Sequence, residues 1–303
     1  MEDVMEKTAV QQPAAAAANS KKPNIPFLLR LIQWTFPKIE LMAPRYAHAW
    51  FVKLFFSPPR YPIPEHEKEM IRQAERFSVS AGEVEVECYT WGEGPVVLFV
   101  HGWAGRAGQF RNFIAPFTKA GYKVLAFDAP AHGLSKGSST SIIGFKNAIL
   151  NIEKKAGKIE AVIGHSLGGG ASLFALSEGL NVKTLITLAT PTIGDEILQE
   201  FTSRLNASQH AIDHLKKHIQ KTFNRSFDEF MSTHFIRLLP SKIDLLILHD
   251  ENDREATLKN AEELLSAYPS ATFIKTTGLG HVRILRDEKV IEACLDFVGG
   301  RSK

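Results

Sequence analysis

The sequence predicts an α/β fold: a mostly parallel, doubly wound sheet with helices on both faces and an inserted helical lid. Three observations carry this. From Phe77 onward, short apolar runs alternate with amphipathic ones, as strands alternating with crossover helices do. One apolar run, Ala161-Val162-Ile163-Gly164, stops abruptly, and a small-residue helical run from Gly168 to Leu176 follows Ser166. That is strand, sharp turn, helix. Finally, His101, Asp128, Ser166, Asp253 and His281 all fall at or just past predicted strand ends, where ligands sit in such sheets.

The 303 residues are 44% hydrophobic and 23% charged, enough for one globular domain with an appendage or two small ones. A net charge of +3, with no basic stripe interleaved with aromatics in the core region, argues against a nucleic-acid partner. Cys88 and Cys294 stand alone, outside any Cys-x-x-Cys, and read as buried thiols in a reducing, cytoplasmic setting. The acidic start Met1-Glu2-Asp3 and the short Ala14–Ala18 run do not make a signal peptide. No apolar run reaches 18 residues, so no transmembrane helix is expected.

In chain order, residues 1–24 read as disordered: glutamines, Pro13, five alanines, then polar residues. Residues 25–76 form a helical extension. Its first part, 25–61, is crowded with Phe27, Trp34, Phe36, Trp50, Phe51, Phe55 and Phe56 among basic residues, and Pro37 and Pro44 are expected to divide it into short helices. Such a segment can pack on the core, form a homodimer contact, or bind a membrane surface peripherally. The core is expected over 77–191 and 241–303. Phe77–Ser80 and Val84–Trp91 pair antiparallel around Ala81-Gly82. Pro95–Val100 is a buried strand, Gln109–Ala120 a helix stopped by Gly121, and Lys123–Phe127 the next strand. Ile142–Lys155 is helical, and Val182–Ala189 is a strand after the sharp turn. Residues 192–240 break the alternation and read as helices only. Asp244–Leu248 resumes the sheet, Ala256–Ala267 is a helix, Ala271–Thr276 the last strand and Asp287–Val298 the closing helix.

Gly164-His165-Ser166-Leu167-Gly168 has the Gly-x-Ser-x-Gly form of a nucleophile elbow. A serine at the tip of so tight a turn is strained, and glycines at 164 and 168 remove Cβ clashes. The helix that follows aims backbone N–H groups at charge developing beside Ser166. Gly133-Leu134-Ser135-Lys136-Gly137 has the same form, but lies in a polar loop, where Ser135 is expected to hold local hydrogen bonds. A serine hydroxyl needs a base, and the base needs an acid to fix its tautomer. His281, after a Gly-Leu-Gly loop, is the candidate base. Asp253 is the candidate acid, with Asp250 and Glu251 as neighbours able to serve. The Leu167 and Trp103 amides are candidate oxyanion donors, and His101, Gly102, Trp103 and His165 are expected to border the substrate.

These residues resemble the α/β-hydrolase family over roughly 77 to 299. The resemblance rests on His101-Gly102-Trp103, the Asp128-to-Ser135 loop, the Ser166 pentapeptide, Asp253 beyond His249, and Gly280-His281. Asp250 and Ala131 stand where the family often has glycine. The resemblance implies a serine nucleophile, a lid at 192–240 that selects substrate, and an activity among esterases, lipases, thioesterases, carbon–carbon bond hydrolases, peptidases and perhydrolases. Serine at 166 argues against the dehalogenase branch. The expectation is a carboxylic-ester hydrolase working through an acyl-enzyme on a small or medium apolar ester, without cofactor or metal. A carbon–carbon bond hydrolase or thioesterase is the alternative, and a ligand-binding protein with little turnover the alternative of another class. His210, His214 and His218 share one helix face in the lid, a spacing that could ligate a metal, but beside the stripe Ala211, Leu215 and Ile219 they read as the polar border of an amphipathic helix.

Overall fold

The computed structural model describes residues 27–239 and 242–300. The disorder expected for 1–24 lies outside them. Eight strands form one sheet: β1 (Glu75–Ser80), β2 (Glu85–Trp91), β3 (Val96–Val100), β4 (Lys123–Phe127), β5 (Ile159–His165), β6 (Thr184–Leu188), β7 (Asp244–Asp250) and β8 (Thr272–Thr276). Their spatial order is β1-β2-β4-β3-β5-β6-β7-β8. β1 and β2 run antiparallel at one edge, and from β4 to β8 every pairing is parallel. The central strands are buried throughout, because helices cover both faces: Leu98 and Val100 of β3 enter one apolar cluster, Val97 and Phe99 the other. After β3 the chain moves to one side, to β4, then returns past β3 to β5. The carboxyl ends of β3 and β5 therefore flank the topological switch point, where such sheets open a crevice.

The helices are α1 (Phe27–Met42), α2 (Pro44–Phe55), α3 (Glu65–Arg72), α4 (Arg111–Lys119), α5 (Ile142–Ala156), α6 (Leu167–Ser177), α7 (Gly194–Leu205), α8 (Gln209–Phe223), α9 (Ser232–Arg237), α10 (Leu258–Ala267), α11 (Gly280–Arg283) and α12 (Glu288–Val298). Residues α5, α6 and α10 bury join one cluster, and those of α4 and α12 the other. Helix α6 is buried on nearly every side from Gly168 to Leu176, which its small residues permit at the centre of the molecule. Between β6 and β7, helices α7 to α9 form a separate layer, with α9 packed on α6.

The N-terminal extension divides in two. Helices α1 and α2 pack on α7 and α8, burying Phe36, Ala47 and Phe51. Helix α3 instead docks on the core: the Trp91 indole N–H donates to the Met70 carbonyl, and buried Glu67 pairs with Arg106. Pro37 does not end a helix, contrary to the sequence expectation, since α1 runs through it. A proline there removes the bond to the carbonyl four residues back. That carbonyl, of Gln33, instead accepts from the Asn206 side-chain amide at the end of α7, 3.2 Å away. Pro44 does begin a new helix, at its first position. The helix expected over Gln109–Ala120 starts as a 3-10 turn, Ala107–Phe110, before α4.

Candidate active site

Ser166 sits between β5 and α6 with φ 52° and ψ −124°, a left-handed conformation that a non-glycine residue holds only when its surroundings force it. They do. A Cβ on Gly164 would lie 2.6 Å from the Gly169 backbone, and one on Gly168 would strike the Val100 carbonyl of β3. The Ser166 amide is held by the Leu188 carbonyl of β6 at 2.8 Å. The hydroxyl-bearing residue borders a cavity of about 500 Å³, together with Trp103, His165, Leu167 and His281.

His281 and Asp253 arrive from the ends of β8 and β7. The His281 Nδ1–H donates to Asp253 Oδ2 at 2.7 Å, so that in the neutral imidazole Nε2 is the ring nitrogen able to accept a proton. The other carboxylate oxygen, Oδ1, accepts from the Glu255 and Ala256 amides at 2.8 and 3.0 Å. Burial alone would raise the Asp253 carboxyl, but the His281 bond and these amides outweigh it and hold it below the ordinary value of 3.8. Among the described residues, the Ser166 hydroxyl makes no hydrogen bond to His281. Such bonds are often loose until substrate closes the site. The Trp103 and Leu167 amides have no acceptor among the described residues, and both residues line the cavity.

Asp250 makes no hydrogen bond to His281, and its burial has a different use. Its Oδ1 accepts from the Asn252 and Gly280 amides, and its Oδ2 from the Leu279 amide and the Thr276 hydroxyl, all within 3.0 Å. Burial raises its carboxyl, and these donors more than reverse that, for a net lowering. Asp250 thus ties down the loop that presents His281. Glu251 lies outside, bonded to Thr277 and paired with Lys275. The departure from glycine at 250 was the one signal of this role in the sequence.

Of the four predicted substrate contacts, His101 and Gly102 lie off the cavity, a correction, whereas Trp103 and His165 border it. His101 is fully buried away from the cavity: its Nδ1–H donates to the Gly102 carbonyl, and its Nε2 accepts from the Ala129 amide. Gly102 lies behind Ser166, where a Cβ would come 2.7 Å from the Ser166 Cβ, so its smallness serves the elbow. His165 borders the cavity, and its Nε2–H donates to the His281 carbonyl at 2.8 Å, linking the elbow to the loop that carries His281. Burial, with the neighbouring His281, pushes the His165 imidazole down to about 3, so it stays neutral.

His132, which sequence reasoning did not single out, works beside His101. Its Nε2 accepts from the Ala104 amide and its Nδ1–H donates to the Pro130 carbonyl, both at 3.0 Å. Burial pushes His101 down to about 4, and burial with His101 pushes His132 down to about 3. The pair ties the loop after β3, which carries Trp103, to the loop after β4. Asp128 joins the same network through the Tyr89 hydroxyl and the Ala107 and Leu134 amides. Ser135 is buried, donating to the Asp128 carbonyl and accepting from the Glu87 amide, so the second pentapeptide is a loop fastener.

The cavity's far walls are apolar and come largely from outside the sheet: Phe55 of α2 with Phe56 just after it, Phe201 of α7, Phe223 of α8, then Phe227 and Met231. Its charged lining, Glu200, Arg204 and Glu255, is paired within itself, Arg204 lying 2.8 Å from Glu200 and 3.9 Å from Glu255. The three lid histidines follow α8. His214 packs by His48, His218 bonds Thr222, and Ala211, Leu215 and Ile219 are buried. No three potential metal ligands converge among the described residues.

Comparison with known proteins agrees with this architecture. A family model described as the alpha/beta hydrolase fold matches residues 95–288. Over 117 residues the chain is 32% identical to a 2-hydroxy-6-oxononadienedioate/2-hydroxy-6-oxononatrienedioate hydrolase of Comamonas testosteroni, covering 35% of this chain and 40% of that protein. Over 142 residues it is 31% identical to a probable serine hydrolase of Drosophila melanogaster, covering 43% of each. The chain thus spans less than half the length of these relatives. Among solved structures, an esterase of Pyrococcus furiosus superposes with a TM-score of 0.63 at 20% identity, over 80% of this chain and 98% of that one, which is a likeness of fold.

Proposed function

Because the chain belongs to the alpha/beta hydrolase fold family, we propose that it is a serine hydrolase cleaving carboxylic esters of apolar acids through an acyl-enzyme. One observation carries this: Ser166, in a strained elbow, shares an apolar cavity of about 500 Å³ with a histidine whose tautomer is set by a buried aspartate. Ser166 Oγ attacks the ester carbonyl while His281 Nε2 takes its proton. Asp253 stabilises the imidazolium, and the Trp103 and Leu167 amides receive the oxyanion, each such donor being worth roughly 10²–10³ in rate. His281 then passes the proton to the leaving alcohol. Water repeats the sequence and releases the acid.

The lining favours a neutral, apolar acyl group. The volume suits a small- to medium-sized ligand, and the one arginine among the described lining residues is already engaged by two glutamates. Carbon–carbon bond hydrolysis is a second reading, supported by the Comamonas relative's name, and a thioesterase would use the same groups. A substrate carrying free carboxylates would find no unpaired cation among the described lining residues.

A fluorophosphonate probe followed by mass spectrometry tests the nucleophile, and p-nitrophenyl esters from acetate to decanoate test the acyl pocket. Labelling at Ser166 with turnover of the mid-length esters is the expected result. Faster turnover of a vinylogous diketone would favour carbon–carbon cleavage, and preference for acyl thioesters would favour a thioesterase. Neither labelling nor turnover would leave a ligand-binding protein.

A further inference from the structure

Helices α1 and α2 present two unlike faces. The inner face is buried on the lid helices, with Phe51 against Phe36 and Phe201. The outer face is apolar too, yet nothing among the described residues covers it. Of the nine exposed large apolar side chains among the described residues, six lie between 27 and 61: Leu31, Trp34, Leu41, Met42, Tyr46 and Tyr61. Leu31, Trp34, Lys38, Leu41 and Met42 recur at helical spacing along one side of α1, and Arg45 and Tyr46 open α2 beside them.

The charge on this side has one sign. Arg30, Lys38, Arg45 and Lys53 are exposed. The one acid between 27 and 61, Glu40, is turned to use within the fold, accepting from His48 and from the amide and hydroxyl of Ser208. The Lys38 ammonium lies over the exposed Trp34 ring, 2.9 Å from its centroid, so a cation and an indole face share this surface.

We propose that this face seats the protein on the surface of an anionic lipid bilayer. Leu31, Trp34, Leu41 and Met42 enter the boundary between headgroups and acyl chains, and Lys38 and Arg45 meet lipid phosphates. An interfacial helix needs this combination of an apolar ridge, an aromatic at headgroup depth and basic flanks. The contact is peripheral, because no described helix is long and apolar enough to cross a membrane. A second copy of the chain is a poorer occupant. Two-fold pairing would bring Lys38 and Arg45 against the same basic helices of the second copy, whose one acid between 27 and 61, Glu40, is already engaged within the fold.

Co-sedimentation of the full chain with vesicles of phosphatidylglycerol, and separately of phosphatidylcholine, tests this. Binding is expected on the anionic vesicles, weak on the zwitterionic ones, and diminished by added salt. The triple change Trp34→Ala, Leu41→Ala, Met42→Ala should lower partitioning by about a hundredfold or more. Lys38→Gln with Arg45→Gln should lower it by about thirtyfold on phosphatidylglycerol. Both variants replace exposed side chains, so an unchanged melting temperature is the control on folding, and either one alone suffices as a test. Three results would overturn the proposal: no binding to anionic vesicles, binding that survives both variants, or a concentration-dependent dimer that the same changes dissolve while vesicles are ignored.

Discussion

The two sides of the cavity are built on opposite principles. On the sheet side, buried polar groups hold loops by directed hydrogen bonds: His101, His132 and Asp128 behind Trp103, Asp250 and Asp253 behind His281. On the roof side, helices from before and within the core sequence meet through aromatic contact, with Phe55, Phe201 and Phe51 edge-to-face and Phe223 beside Phe56. Hydrogen bonds fix direction within a fraction of an ångström, which reacting atoms require. Apolar packing is non-directional and tolerates changes of shape. Errors on the sheet side should therefore cost rate, and errors on the roof should change selection.

The largest effect is expected at Ser166, the proposed nucleophile. Ser166→Ala should reduce ester turnover by roughly 10⁴-fold or more with the melting temperature unchanged, as read by steady-state kinetics and calorimetry. Next comes the loop anchor. Asp250→Ala strips four donors of their acceptor, and a base displaced by about 1 Å costs on the order of 10² in rate. The expected signature is a lower kcat at nearly constant KM. An equal loss for Phe201→Ala would erase the contrast between the two sides.

For Phe201→Ala the expected outcome is a shift of preference toward longer acyl chains, by up to about tenfold in the ratio of kcat/KM values along an ester series. The smallest kinetic effect is expected of Ser135→Ala, no more than about tenfold, the size of one hydrogen bond of ~1 kcal/mol. Covalent probe on Ser135 would reverse the assignment of the elbow.

The polar side should also be the acid-labile one. His101, His132 and His165 have ordinary values of 6.5 and are held neutral in the fold down to about 4, 3 and 3. Above pH 6.5 neither state binds these protons. As pH falls below it, the unfolded chain takes them up first, so stability drops through the window from 6.5 toward 4. The slope is at most about 1.4 kcal/mol per pH unit for each histidine. Denaturant midpoints measured across that window check it, and His132→Gln should flatten the curve.

Much of the candidate site is legible in the sequence because it is made of local events. A strand that ends in Gly164, a serine, and a helix of small residues are all properties of one short stretch, and the backbone angles at Ser166 follow from them. The order of strands and helices likewise follows from apolar periodicity, down to β4 at Lys123–Phe127. Tertiary structure alone decided the rest. Which carboxylate among 250, 251 and 253 meets His281 depends on how two loops close across 28 residues, and local spacing leaves all three open. That His101 would bind a backbone amide and not a substrate depends on the loop after β4 lying beside it. Pro37 signals a break, yet α1 continues because Asn206, far along the chain, takes the freed carbonyl. The aromatic walls of the cavity are placed by helix-on-helix packing, which brings Phe55 to the same space as Ser166 through contacts that no short window of sequence contains.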